Sequence, residues 1–313
     1  MQTEVTDEDE FLAIRPLLFS IAYEMTGSVA DAEDILSEAY LRLRRSREHG
    51  TKIRSLRNYL STVVSRLALD QLQSARSRRE VYVGPWLPEP LVEEASSGGF
   101  EQVERSDTVS MAFLVLLESL NPVERAVFVL REVFSFDYPQ IAEIVGRSEA
   151  NCRQLLRRAR QHVEHRQPRF DADPADRDAL ARRFFAALAR GDLGPLVDRL
   201  AEDVVAYGDG GGSWPSIPRP ILGRENVVRM LTGMARSGFG AGLRLHRVTV
   251  NGQPGALVRT ADGRLLNVIG LDIVNGQIVA VRSVINPDKL GHLAPLVPWD
   301  DPLRGNGRRV DPG

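Results

Sequence analysis

The sequence predicts a multidomain protein in which two all-α helical domains are followed by an α+β domain. Three observations predict it. Apolar residues recur every three to four positions from Glu10 to about Arg79, and again from about Asp107 to Glu164, which is helical spacing. Between these blocks, at 80–106, Pro, Gly and Glu accumulate, and a second break at Gln167-Pro168 and Asp171-Ala172-Asp173-Pro174 ends the helical part. Beyond Gly242, strand-like runs are separated by Gly252, Asp262-Gly263 and Asn275-Gly276; Asp-Gly and Asn-Gly favour hairpin turns because both positions tolerate φ > 0. A length of 313 residues accommodates two or three domains. The boundaries that follow are a helical domain at 8–79, an acidic linker at 80–106, a second helical domain at 107–166, an α+β domain at 175–292, and a tail at 293–313 that is expected to be disordered.

The first block opens with Phe11, Ile14, Leu18 and Ile21 on one helix face. Ser28 then caps a helix with Ile35, Ala39 and Leu43 as its apolar stripe and Asp31, Asp34 and Glu38 on its polar face; Asp31 also suits the helix dipole. A third helix, about 56–74, carries Leu56, Tyr59, Leu60, Val63, Leu67 and Leu72 at core spacing. Its other face holds Asn58, Ser61, Thr62, Ser65, Arg66, Asp70 and Gln73, and it runs into Arg76, Ser77, Arg78 and Arg79. Short polar groups beside arginine suit a single-stranded base or a phosphate. The linker reads as extended, with six Glu against one Arg.

In the second block Asn121-Pro122-Val123-Glu124 is a capped start for a helix at 123–133. Asp137-Tyr138-Pro139-Gln140 starts a short helix ending near Val145, Gly146-Arg147-Ser148 turns the chain, and Ser148 caps a longer helix to about Val163. That is helix-turn-helix spacing. Ile141, Ala142, Val145, Cys152, Leu155, Leu156 and Ala159 supply the packing faces, and Arg153, Gln154, Arg157 and Arg158 point outward, where a major groove would meet them. An ordinary αα-hairpin with arginines on its solvent face is the alternative. In the last domain helices at about 175–190, 194–200 and 225–235 precede an antiparallel sheet with strands near 243–246, 256–259, 265–274 and 278–284.

Lys and Arg number 40 against 42 Asp and Glu, a net charge of −2 with pI ≈ 6.3. This near-neutrality conceals a segregation. Residues 42–79 carry eleven basic and two acidic residues, and 147–169 seven and two, so +14 sits in two helical segments against −16 elsewhere. Because screening limits each charge to about 8 Å of reach, such segments bind polyanions locally. One cysteine, Cys152, excludes a disulfide framework and a cysteine-based zinc cluster and fits a reducing cytosol. The acidic start is no secretory signal, and no apolar run approaches the ~20 residues of a membrane helix, so a cytoplasmic location without membrane, metal or cofactor is expected.

The run Asp31-Ala32-Glu33-Asp34-Ile35-Leu36-Ser37-Glu38-Ala39-Tyr40-Leu41-Arg42-Leu43 resembles region 2.2 of extracytoplasmic-function sigma factors. Tyr59-Leu60 through Arg66-Leu67-Ala68-Leu69-Asp70 to Arg79-Glu80 is similar to their regions 2.3 and 2.4, and Arg147-Ser148-Glu149-Ala150 to Arg157-Arg158-Ala159-Arg160 to region 4.2. Further, Asp209-Gly210-Gly211-Gly212, Asn286-Pro287-Asp288-Lys289-Leu290 and the linker run Tyr82-Val83-Gly84-Pro85-Trp86-Leu87-Pro88-Glu89-Pro90 resemble the group carrying a fused SnoaL-like, NTF2-fold domain. The resemblance implies a dissociable subunit of bacterial RNA polymerase that is not an enzyme. Asp34, Glu38 and Leu41 would dock on core polymerase; Ser148, Arg153, Gln154, Arg157 and Arg158 would read the −35 element as duplex. Asn58, Arg66, Asp70, Arg76, Arg78 and Arg79 would hold the single-stranded −10 element, with a base flipped out. The linker would run through the RNA channel, and the last domain would regulate, replacing a separate anti-sigma protein. A small-molecule ligand in its pocket stays open. The alternative is a helix-turn-helix regulator fused to a small-molecule-binding or cyclase-like enzyme domain, with Asp209, His246 or His292 as acid or base.

Overall fold

The computed structural model describes residues 7–79, 82–94, 110–164, 173–212, 217–240, 242–298 and 301. They divide into two compact units, one of residues 1–80, 102–108 and 116–167, the other of residues 81–101, 109–115 and 168–313.

The first unit begins with α1 (Asp7–Thr26), α2 (Val29–Glu48) and α3 (Leu56–Arg79). The Ser28 hydroxyl accepts from the Asp31 N–H at 3.0 Å, the cap the sequence calls for. Leu18, Ile21, Met25, Leu36, Leu43, Leu60 and Val64 are buried between these helices, and Gln71 donates to Asp31 at 2.7 Å, tying α3 to α2. The orientation of α3 departs from expectation. Ser61 and Ser65, assigned to the polar face, are buried, because α3 packs against α1 and α2 and also against helices of the second helical block.

That block contains α4 (Met111–Leu117), whose first residues belong with the second unit, then α5 (Pro122–Phe128), a π-helical turn (Val129–Val133), α6 (Tyr138–Val145) and α7 (Glu149–Glu164). Both expected capping boxes form, at Asn121 with Glu124 and at Asp137 with Gln140. Gly146 ends α6 at φ +62°, a left-handed turn that an L-residue enters only at a cost. Ile141, Val145, Cys152, Leu156 and Ala159 are buried as the pattern requires; Leu155 is half-buried. Arg125 on α5 is 1% exposed and bonds to Glu118 and, at 3.1 Å, to the carbonyl oxygen of Glu24 at the end of α1.

The second unit has α8 (Pro174–Arg190) and α9 (Arg224–Gly240) against a seven-stranded sheet. Its strands are β1 (Val92–Glu94), β2 (Leu200–Asp209), β3 (Ile221–Leu222), β4 (Arg244–Val250), β5 (Gln253–Arg259), β6 (Leu265–Val274) and β7 (Gln277–Val284), in the order β1-β4-β5-β6-β7-β2-β3. Phe184, Phe185, Leu188, Val227 and Leu231 of the helices pack with Val204, Ala206, Ile269, Leu271 and Val281 of one sheet face. The sheet is mixed rather than antiparallel. The unanticipated strand β2 runs parallel to β7, since a long connection through β3, α9 and the strands β4, β5 and β6 separates them instead of a hairpin.

Two segments differ from expectation. Linker residues 82–94 belong to the second unit: β1 pairs antiparallel with β4, Val92 opposite Val250, and Leu87 is 1% exposed in an apolar cluster with Met111, Val248, Val268, Val284 and Leu290. The start of the tail is also engaged, because the Leu265 N–H donates to the Pro295 carbonyl at 2.8 Å and the Val297 N–H to the Leu265 carbonyl at 2.9 Å. Residues 299–300 and 302–313, the remainder of the tail, lie outside the described residues, as do linker residues 80–81 and 95–106.

Candidate nucleic-acid interface and linker clasp

On α7, Arg153, Gln154, Arg157 and Arg158 are exposed, while Cys152, Leu156 and Ala159 hold the opposite face against α5 and α6. Burial pushes the Cys152 thiol up, away from the thiolate. Ser148 accepts from the Asn151 N–H at 3.3 Å, so its hydroxyl serves as cap. Arg153 is more constrained than its exposure suggests. Its guanidinium lies 4.5 Å from the centroid of the Tyr138 ring and 2.9 Å from the Glu149 carboxylate. Arg131, from the π-helical turn, is 4.9 Å from the same ring, and its Nη1 donates to the Phe136 carbonyl at 2.7 Å. Tyr138 was legible only as part of a cap.

On α3, Asn58, Arg66 and Asp70 are exposed, with the side chains of Arg76, Arg78 and Arg79 outside the described residues. Arg66 is occupied: its Nη2 donates to the Glu143 carbonyl and to the Glu143 carboxylate on α6, each at 3.0 Å. A cavity of about 410 Å³ opens between α1 and the α2–α3 loop, lined by Glu10, Ala13, Ile14, Arg47, Ile53, Arg54 and Leu56. No motif marked it, since its walls come from three separate stretches. On α2, Asp34, Glu38 and Leu41 fall on one side of the helix at i, i+4 and i+7, with Asp34 and Leu41 exposed. Glu38 accepts from Arg42 at 2.8 Å, which holds its carboxyl below the usual range.

The residues of the last domain's two motifs converge on the linker. Asp209, at the end of β2, is fully buried and accepts from the Tyr82 hydroxyl, the Leu87 N–H at 2.7 Å, the Gly211 N–H at 3.2 Å and Lys289 Nζ at 2.6 Å. Lys289 also donates to the Leu87 carbonyl at 2.5 Å and lies 4.2 Å from the centroid of the Trp86 ring. Asn286 donates to the Tyr82 hydroxyl at 3.1 Å and accepts from the Asp288 N–H, while Leu290 is buried beside Leu87. Pro287 starts the 3-10 turn that presents Lys289. Burial and the Asp209 carboxylate push the Tyr82 phenol far up, so it stays a donor. The glycine run is set by approach: a Cβ on Gly211, at φ +61°, would stand 2.6 Å from Asn286 Nδ2, and one on Gly212 3.2 Å from Val83. Gly210 joins Asp209 to this pair.

The clasp engages two of the three candidate acid-base groups. Asp209 has its lone pairs taken by four donors, and His292 Nε2 lies 2.9 Å from the Pro90 carbonyl, to which it donates. His246 is exposed on β4. Among the described residues there is no cluster suited to a metal ion and no helix long and apolar enough to cross a membrane.

Three family models match successive parts of the chain: sigma-70 region 2 at residues 11–78, sigma-70 region 4 at 110–163 and the SnoaL-like domain at 181–285. The ECF RNA polymerase sigma factor SigJ of Mycobacterium tuberculosis is 39% identical over 292 residues, covering 90% of this chain and 92% of that protein. SigG of the same species, also an ECF RNA polymerase sigma factor, is 28% identical, covering 76% of this chain and 69% of that protein. The crystal structure of SigJ superposes with a TM-score of 0.74 at 36% identity, covering 93% of this chain and all of that one.

Proposed function

Because the chain belongs to the ECF RNA polymerase sigma factors with a SnoaL-like C-terminal domain, we propose that it directs core polymerase to promoters and that its last domain restrains it by holding the linker. The Asp34, Glu38 and Leu41 side of α2 meets core polymerase. Exposed Arg153, Gln154, Arg157 and Arg158 meet the −35 duplex, where arginine pairs with guanine edges or phosphates and glutamine with adenine. Asn58, Arg66, Asp70 and the Arg76, Arg78 and Arg79 cluster hold the −10 strand, and the cavity beside the α2–α3 loop takes a flipped base. Strand opening at −10 then depends on sequence, because contacts to the extruded base must offset a few kcal/mol of unstacking.

The observation that carries the regulatory part is the buried Asp209, whose four donors include two from the linker. A linker held in a sheet is not free to thread a polymerase channel, and Arg66 must leave its exposed pair with Glu143 before it meets DNA. Both features support reading this arrangement as a closed state that opens on engagement. On this reading the C-terminal domain takes the place of a separate anti-sigma protein, and the chain acts in the cytoplasm beside the nucleoid.

Transcription reconstituted from purified chain, core polymerase and DNA from upstream of the protein's own coding region tests the whole reading. Promoter-specific transcripts are expected, with more product from Tyr82→Ala than from wild type. No transcript from any template refutes the initiation role; equal product from both chains refutes the restraint. Tight binding to a specific site without core polymerase would instead favour a free-standing helix-turn-helix regulator.

A further inference from the structure

We propose that Tyr138 is a positioning residue for promoter selection, holding the Arg153 guanidinium in the orientation that reads one base pair of the −35 duplex. This rests on the assignment of α7 to that element. Arg153 is an exposed arginine on the recognition helix, and a long side chain in that setting samples many rotamers. Here two groups hold it, the Glu149 carboxylate at 2.9 Å and the Tyr138 ring at 4.5 Å.

The two holds differ in what they consume. A carboxylate takes guanidinium N–H donors, the groups that would bond to guanine O6 and N7. The aromatic face attracts the cation through its quadrupole and accepts no directed hydrogen bond, so the donors stay available. When DNA arrives, Glu149 is the partner that must yield and Tyr138 the one that can stay. The ring is itself fixed. Tyr138 occupies the first turn of α6, whose start is locked by the Asp137 and Gln140 capping box. Arg131 sits 4.9 Å from the ring centroid and is anchored through the Phe136 carbonyl. Arg131 is brought there by a π-helical turn at Val129–Val133 followed by Ser135 at φ +57°, a conformation that costs energy in an L-residue. Two like charges sharing one ring repel, which a ring that merely filled space would not need. The arrangement is explained if the ring serves as a fixed platform for Arg153.

The test uses holoenzyme assembled from the full chain and core polymerase, and a duplex library randomised across the −35 region. Wild type, Arg153→Ala, Tyr138→Phe and Tyr138→Leu are compared for base preference at each position and for total retention. Arg153→Ala is expected to erase the preference at one position. Tyr138→Leu is expected to lower the preference at that same position about two- to five-fold, leaving the other positions and the thermal midpoint unchanged, and Tyr138→Phe to match wild type. If Arg153→Ala erases a preference that Tyr138→Leu leaves intact, the positioning role is wrong while the −35 assignment survives. If Arg153→Ala changes no preference, both fail. Uniform weakening at every position by Tyr138→Leu, or equal loss in Tyr138→Phe, marks a structural residue and also overturns the proposal.

Discussion

Replacing Lys289 by Met removes the ammonium from the clasp while keeping an unbranched apolar side chain against Trp86. The Lys289 side chain is 10% exposed and that of Asp209 is fully buried, with Nζ and Oδ2 2.6 Å apart. At an effective dielectric of ~20 the attraction at that distance is about 6 kcal/mol before desolvation is counted. Breaking a buried pair from one side typically costs about 3 to 5 kcal/mol, because the remaining charge stays buried. The lower end applies here, since Asp209 keeps Tyr82, the Leu87 N–H and the Gly211 N–H. Part of that relief is offset by the Leu87 carbonyl, which loses its Lys289 donor. About 3 kcal/mol expressed as local opening is roughly a hundredfold rise in the open fraction. Hydrogen exchange read by mass spectrometry at Leu87 and at Asn251, whose N–H bonds to the Leu91 carbonyl, reports that opening directly. The expected result is about a hundredfold faster exchange at both, with β6 and β7 amides unchanged. A rise below threefold at Leu87 would show that the ion pair does not hold the linker, and the restraint mechanism would lose its basis.

Tyr82 adds a pH dependence of defined sign. Its phenol titrates higher in the folded chain than in the unfolded one, so its contribution is complete below about pH 10 and is lost as pH rises above that value. Wild type should therefore lose linker protection in alkali, and Tyr82→Phe should start weaker and lose this additional slope. Gly211→Ala puts a Cβ 2.6 Å from Asn286 at a positive φ, and should destabilise the second unit by at least about 1 to 2 kcal/mol in denaturant titration. Arg125→Ala leaves Glu118 and the Glu24 carbonyl without their buried donor and should cost about 3 kcal/mol of first-unit stability, checked by urea unfolding. Asn121→Ala removes an acceptor for two N–H groups and should cost about 1 kcal/mol by the same measurement.

The helical half was legible because its signals are local. Ser28, Asn121 and Asp137 announce caps within four residues, and the burial of Ile141, Cys152 and Leu156 follows from spacing alone. What failed was what depends on distant partners. Ser61 and Ser65 look solvent-facing until α3 packs against α1, α2 and the second helical block. The linker's prolines and glutamates read as coil, yet Tyr82 and Asp209 meet across 127 positions, and no periodicity foretells that pairing. Lys289 sits in a 3-10 turn, where a lysine ordinarily implies exposure. The two C-terminal motifs were visible as patterns, but their common object was not, because the linker's side of the contact lies in another part of the chain. Tyr138 escaped notice for a related reason: Arg131 and Arg153 flank it at unequal spacings, seven residues before and fifteen after.

The pairing of β1 with β4 has a geometric corollary. An extended residue supplies at most about 3.5 Å of reach, so the thirteen residues from Tyr82 to Glu94 can span up to roughly 45 Å when released from the second unit. Promoter elements lie along DNA at 3.4 Å per base pair, and that length corresponds to about thirteen base pairs of separation. On the closed-state reading, opening the clasp would lengthen the free tether. A chain locked shut would be expected to fail first on promoters with long spacers between −35 and −10.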